Sequence, residues 1–210
     1  MLDVHMGNYR SYRQLIIWEQ EGRDFSIHAR EGSSGMAVIA PHGGGIEPGT
    51  MELAEAIAGS AHSLYCFEGI KRAGNSDLHI ASGYFDEPMG VTMVRRSRTV
   101  LAVHGCKGNQ EVVYVGGLDI DLREKIRLSL IQAGFNAGLS PRAELEGKST
   151  KNICNRCRSG KGVQLEISKG LRKNMFKDLT REGRKNRTTV FHTFVSALRD
   201  VLPRSPNRER

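Results

Sequence analysis

The stretch Ala37-Val-Ile-Ala-Pro-His-Gly-Gly-Gly-Ile-Glu-Pro-Gly-Thr50 reads as a buried strand that runs into a glycine loop and then into a helix. In an open α/β sheet, ligands sit in the crevice at the carboxyl ends of the strands. His42 stands at such an end, and Glu47 follows five residues later. From a regular strand the two side chains could not reach one metal ion, but from a glycine loop, where the backbone turns tightly, they can. A second apolar run, Thr99–Val103, ends the same way in His104-Gly105. Alone, a histidine after a strand is an ordinary hydrogen-bonded loop residue. Together, His42, Glu47 and His104 supply two imidazoles and one carboxylate, the ligand set of a catalytic zinc that keeps a position for water.

Working outward, apolar runs of strand length recur at Phe25–Ala29, Met36–Ala40, Ser63–Phe67, Leu78–Ala81, Thr99–Val103, Val112–Val115 and Val163–Ile167. Each is bounded by Gly, Asn or charge, the pattern of short buried strands. Helical periodicity lies between them. Met51–Ala58 follows a Pro-Gly-Thr start with Thr50 as the expected N-cap. Asp121–Leu139 puts Leu122, Ile126, Leu130 and Phe135 near one face, with Asp121 and Glu124 as a capping box. Thr188–Leu202 carries a stripe of Phe191, Phe194, Val195, Leu198 and Leu202, closed by Pro203. Strands alternating with helices predict an α/β fold: a mixed open sheet flanked by helices in a three-layer sandwich.

The length, 210 residues, predicts one catalytic domain over 1–203 and a polar tail over 204–210. The net charge is +8, and it is uneven. Residues 142–210 hold 18 Lys and Arg against seven Asp and Glu, a net of +11, whereas residues 1–141 net −3. Such a basic end suits an anionic partner, although most of Lys169–Arg187 reads as a solvated face. No apolar run approaches the ~18 residues of a membrane helix. Met1–Trp18 carries Arg10 and Arg13 with no apolar core behind them, so no signal peptide and synthesis in the cytoplasm are expected. The four cysteines are too few for a disulfide framework. Cys154-Asn-Arg-Cys157 lacks the second pair of a zinc ribbon, so its thiols read as structural.

Three competing motifs fail. His42-Gly-Gly-Gly45 is like the oxyanion loop of lipases, but no G-x-S-x-G elbow accompanies it. Gly147-Lys-Ser-Thr150 is like the end of a phosphate-binding loop, but Arg142 stands where the first glycine belongs. No G-x-G-x-x-G occurs.

Four segments taken together resemble the poly-γ-glutamate hydrolase family, phage and bacterial zinc peptidases sometimes labelled phage-related replication proteins. They are APHGGGIEPGT (Ala40–Thr50), LHIASGYFDEP (Leu78–Pro88), AVHG (Ala102–Gly105) and NICNRCRSGKGVQLEIS (Asn152–Ser168). The resemblance runs from Tyr9 to Leu202. It implies a fold similar to zinc carboxypeptidases, one zinc ion on His42, Glu47 and His104, and hydrolysis of γ-glutamyl amide bonds. Carboxypeptidases proper use the closer spacing H-x-x-E. The wider loop here agrees with the polymer hydrolases.

The carboxypeptidase likeness also implies a general base on a late strand. In Gly162–Ser168, alternation puts Val163, Leu165 and Ile167 on one face and Gln164, Glu166 and Ser168 on the other, so Glu166 is free to face the metal. Asn155-Arg156 looks like the pair by which carboxypeptidases hold a substrate carboxylate, a task that suits Arg. Arg72 and Asn75 are placed to line the same cleft. His79 reads as a core histidine of a buried strand, or as a hydrogen-bond partner of a metal-bound imidazole. The expected partner is the polymer, with release on lysis bringing enzyme and polymer together. A monomer is expected, and neither membrane nor nucleic acid. Three rivals stand beside this: a zinc amidase or deacylase acting on other acyl-amino acid or γ-glutamyl substrates, a non-catalytic polymer-binding module, and a basic nucleic-acid-binding protein, for which no recognition motif is present.

Overall fold

The strand that opens with Met36 lies near the middle of a seven-stranded mixed sheet, apolar on both faces. In the computed structural model the described residues are 9–203, so the expected tail lies outside them. The strands are β1 (Phe25–Arg30), β2 (Met36–Gly44), β3 (Ser63–Gly69), β4 (Thr99–Cys106), β5 (Val113–Gly117), β6 (Ala137–Gly138) and β7 (Val163–Ser168). Their order is β1-β3-β2-β4-β7-β5-β6. The central four, β3, β2, β4 and β7, run parallel, while β1 and β5 pair antiparallel to β3 and β7. Parallel strands buried on both faces require continuous apolar runs, and β2 and β7 are buried at every position.

The helices are α1 (Tyr12–Leu15), α2 (Thr50–Ala58), α3 (Pro88–Arg96), α4 (Ile120–Gln132), α5 (Lys169–Met175) and α6 (Thr189–Val201). One face of the sheet packs on Leu53 and Ile57 of α2, Ile126 and Leu130 of α4, Leu171 of α5 and Phe191, Phe194 and Leu198 of α6. The other face packs on Leu15, Met93, Val94, Leu78, Ile80, Phe85, Ile153 and Cys154. The result is the expected three-layer sandwich.

Several local expectations are corrected. Leu78–Ala81 is not a strand: a 3-10 turn at Asn75–Leu78 leads into irregular chain. Thr50 is the first helical residue of α2, not its cap. Gly49 holds the cap position, and the Thr50 hydroxyl donates to the Glu47 carbonyl at 2.9 Å. α4 is capped by Asp119, whose carboxylate accepts from the Leu122 amide, in place of the expected box at Asp121 and Glu124. It stops at Gln132, where Phe135 N turns back to the Leu130 carbonyl, and the chain continues into the edge strand β6. The basic segment Lys169–Arg187 is mostly exposed, but Arg172 and Arg184 are buried.

Candidate metal centre

β2 returns through α2 to β3 on one side, whereas β4 continues toward β5 on the other. The crevice at the carboxyl ends of β2 and β4 is therefore a switch point of the sheet. Strict alternation would send His42 to the wrong face. Ala37 pairs with Val100 and Ile39 with Ala102, so His104 shares a face with Ala37 and Ile39, while Val38 and Ala40 face the opposite core. A bulge corrects this. Ala40 pairs with Cys66 and Gly43 with Glu68, so three steps on β2 match two on β3. The extra residue turns His42 onto the face of His104. Gly44 then takes φ 64 and lies against the Gly69 carbonyl, where a Cβ would approach to 2.5 Å. Only glycine fits there.

His42 donates Nε2–H to the Ile80 carbonyl at 2.8 Å. That fixes its tautomer and leaves a lone pair on Nδ1. Nδ1 lies 3.0 Å from Glu47 Oε1 and 3.1 Å from His104 Nδ1, and His104 Nδ1 is 3.7 Å from Glu47 Oε2. Two imidazole nitrogens and a carboxylate brought this close share either a proton or a metal ion. Two ligands about 2.0–2.1 Å from a tetrahedral zinc stand about 3.3 Å apart, which matches this spacing. The donor set therefore fits a zinc ion. Burial raises the Glu47 pKa, but the imidazoles of His42 and His104 outweigh it and hold the carboxyl well below its usual range.

Of the two readings of His79, that of a core histidine in a strand does not hold. His79 is no satisfied core histidine. Its ring lies 3.9 Å from that of His42 between centroids, its Nε2 is 3.7 Å from Glu47 Oε1, and its Nδ1 is buried without a hydrogen-bond partner. Ligand atoms of His42, Glu47 and His79 all lie within 4.8 Å of one another. The electrostatic influence of the neighbouring His42 imidazole, with burial behind it, pushes the His79 pKa down to about 3. The His79 side chain is 25% exposed, whereas those of His42 and His104 are 2% exposed, so His79 occupies the open side of the cluster.

Glu166 lies where alternation placed it. It pairs in register with His104 on the neighbouring parallel strand, while Val163, Leu165 and Ile167 enter the opposite core. It is buried and accepts a hydrogen bond from Gln164 Nε2 at 3.1 Å. Burial, then the nearby charge of Glu47, pushes its pKa well above the usual carboxylate value.

The expected substrate-binding residues divide. Arg156 is half-buried and spends Nη1 on the Phe85 carbonyl at 2.6 Å, bracing the loop that carries His79. Arg72 is exposed. Asn155 has no group left for a ligand. Its Oδ1 accepts from the amides of Leu118 and Gly162, and its Nδ2 donates to the carbonyls of Gly147 and Ser149. Asn75 is occupied likewise by the backbone of Lys71, at 3.0 and 2.8 Å. The four cysteines are free and buried.

Arg172 was missed altogether. Its guanidinium, 4% exposed, donates to the carbonyls of Ile167 at 3.0 Å, Pro48 at 2.6 Å and Cys106 at 3.2 Å. It thereby ties together the turn after Glu47 and the ends of β4 and β7. It packs flat on Gly105, where a Cβ would sit 2.6 Å from Cζ, and the Gly105 amide itself donates to Glu47 Oε2 at 2.8 Å.

The description of the poly-gamma-glutamate hydrolase family matches residues 9–197. The chain belongs to that family. A solved bacteriophage poly-gamma-glutamate hydrolase superposes with a TM-score of 0.90 at 35% identity, covering 93% of this chain and 96% of that one. A structure of YndL described as apo and zinc-free superposes with a TM-score of 0.87 at 34% identity, over 91% of this chain and 95% of that one. Among curated relatives in Bacillus subtilis, the SPbeta prophage-derived protein YoqZ is 39% identical over 77% of this chain, and YmaC is 37% identical over 85%. The chain spans 59% of the length of YoqZ and 76% of that of YmaC.

Proposed function

We propose that this protein hydrolyses γ-glutamyl amide bonds of poly-γ-glutamate at one zinc ion held by His42, Glu47 and His104. The observation that carries the reading is the convergence of two imidazole nitrogens and a carboxylate, 3.0, 3.1 and 3.7 Å apart, at the switch point of the sheet. Family membership supports the substrate, and the zinc-free description of the YndL structure supports the metal. When bound, the ion supplies Lewis acidity, polarising a carbonyl and making water a nucleophile near neutral pH.

The rest falls to the chain's own side chains. Glu166, beside His104 and on the same face, takes a proton from the attacking water and hands it to the leaving amine. Burial raises its pKa, which strengthens the carboxylate as a proton acceptor. Gln164 fixes the carboxyl by its hydrogen bond. Neutral His79 offers a ring edge to substrate on the open side. Arg156 retains donors for a substrate α-carboxylate, and exposed Arg72 adds a second cation. The protein acts as a monomer.

The test mixes purified, zinc-loaded protein with poly-γ-glutamate and follows polymer length on a gel. Shortening is expected. Undiminished polymer alongside confirmed zinc binding refutes the substrate. Glu166→Gln is expected to keep zinc and lose about 10²–10⁴-fold in turnover; full activity refutes its role as base.

A further inference from the structure

We propose that Arg95, Arg96, Arg98, Arg158 and Lys161 form a second binding surface for the anionic polymer, remote from the metal centre. The choice of ligand rests on the function proposed above.

All five side chains are exposed. Arg95 and Arg96 close the last turn of α3, where cations offset the helix dipole. That accounts for two of the five. Arg98, Arg158 and Lys161 lie beyond the helix, and backbone hydrogen bonds hold their segments together: Arg158 N to the Ser97 carbonyl at 2.9 Å and Ser159 N to the Arg98 carbonyl at 3.1 Å. Beneath them, Cys157 and Ser97 are buried, so the cations stand on fixed backbone.

Some cations elsewhere on this surface find acids, such as Lys71 with Glu19, Arg127 with Glu124, Lys148 with Glu146 and Lys185 with Glu182. Among the described residues, none of the five side chains makes an ion pair or a hydrogen bond. Burial, then the nearby charge of Arg95, disfavours the charge of half-buried Arg156, with Asp86 partly opposing them. Like charges gathered without ion pairs oppose the folded state, and a polyanion relieves that.

The location selects a long ligand. Arg98 precedes β4, and His104 lies six residues further along the chain, about 20 Å at strand rise. A single glutamyl unit cannot touch both places, but a polymer with a carboxylate on every unit can. Arg156 lies on the way, bound to the Phe85 carbonyl at the metal-centre side and two residues from Arg158.

The test measures binding of fluorescein-labelled poly-γ-glutamate to chelator-stripped protein by anisotropy, together with turnover of tri-γ-glutamate by the zinc-loaded protein. R95E/R98E/R158E is expected to weaken polymer binding about tenfold and to flatten its salt dependence. Trimer turnover should stay as in wild type, and the melting temperature should stay level or rise as the repulsion is removed. If charge reversal disturbs folding, R95Q/R98Q/R158Q serves, with a loss of about threefold. Equal polymer binding by wild type and variant overturns the proposal. So does a variant that loses binding to a short DNA duplex and keeps the polymer, since the face then serves nucleic acid. Should wild type cleave neither substrate, the proposed function fails, while the binding comparison still decides the surface.

Discussion

Replacing Arg172 tests whether the metal centre depends on a side chain that never touches the metal. The guanidinium donates to the carbonyls of Pro48, Cys106 and Ile167, one from each chain segment that carries Glu47, His104 or Glu166. Methionine fills similar volume but donates nothing. Each abandoned buried carbonyl costs about 1–3 kcal/mol, and removing a buried charge returns part of that. A net loss of about 2–4 kcal/mol is expected for Arg172→Met. Lysine keeps the charge but has no planar fork to bridge three carbonyls, so Arg172→Lys should fall between methionine and wild type. Urea unfolding of the chelator-stripped protein reads the stability. Competition with a chromophoric chelator reads zinc affinity, expected to fall about 10–100-fold, as for other groups that orient ligands. A methionine variant within about 0.5 kcal/mol of wild type in stability and twofold in zinc affinity refutes the reasoning.

Gly105→Ala attacks the same contact from the other side. Its Cβ would meet Arg172 Cζ at 2.6 Å, so a loss of about 1–3 kcal/mol is expected in the same melts. His104→Ala should lower zinc affinity by at least about 100-fold, whereas His79→Ala should lower it by less than about tenfold and mainly reduce turnover. Zinc titration of the two variants checks the ranking, and the reverse order makes His79 the ligand. Burial, then the charge of Glu47, raises the Glu166 pKa in the metal-free fold. The native state therefore binds more protons than the unfolded state above the unfolded carboxyl pKa, and stability falls as pH rises from there toward the native pKa. Glu166→Gln removes that slope. Its melting temperature relative to wild type should climb as pH rises above the usual carboxylate range, and a pH-independent difference contradicts the assignment.

The strands and the catalytic layout were legible where physical cues were local. Apolar runs marked β2, β4 and β7, and a period of two put Glu166 opposite Leu165. The pairing of His42 with His104 was legible for a chemical reason only. Its geometry depends on a bulge against β3 that parity within β2 alone does not reveal. Leu78–Ala81 has the length and apolarity of a strand, and this hid His79: a short apolar run that lids a cluster looks the same as one that enters a sheet. Asn155 followed a two-residue likeness to a substrate clamp, yet four backbone groups of surrounding loops consume its amide. Arg172 sits in a lysine- and arginine-rich run that reads as solvated. Its burial follows from carbonyls as far away as Pro48, 124 residues distant in sequence.

The central claim is metal-dependent cleavage by this cluster, and one titration tests it most directly. Protein stripped of metal receives zinc in sub-stoichiometric steps, and the rate of polymer shortening is followed at each step. The account predicts no shortening without zinc, a linear rise to a plateau at one equivalent, and no rise for His42→Ala. Shortening at full rate by the stripped protein, or none at one bound equivalent, contradicts it.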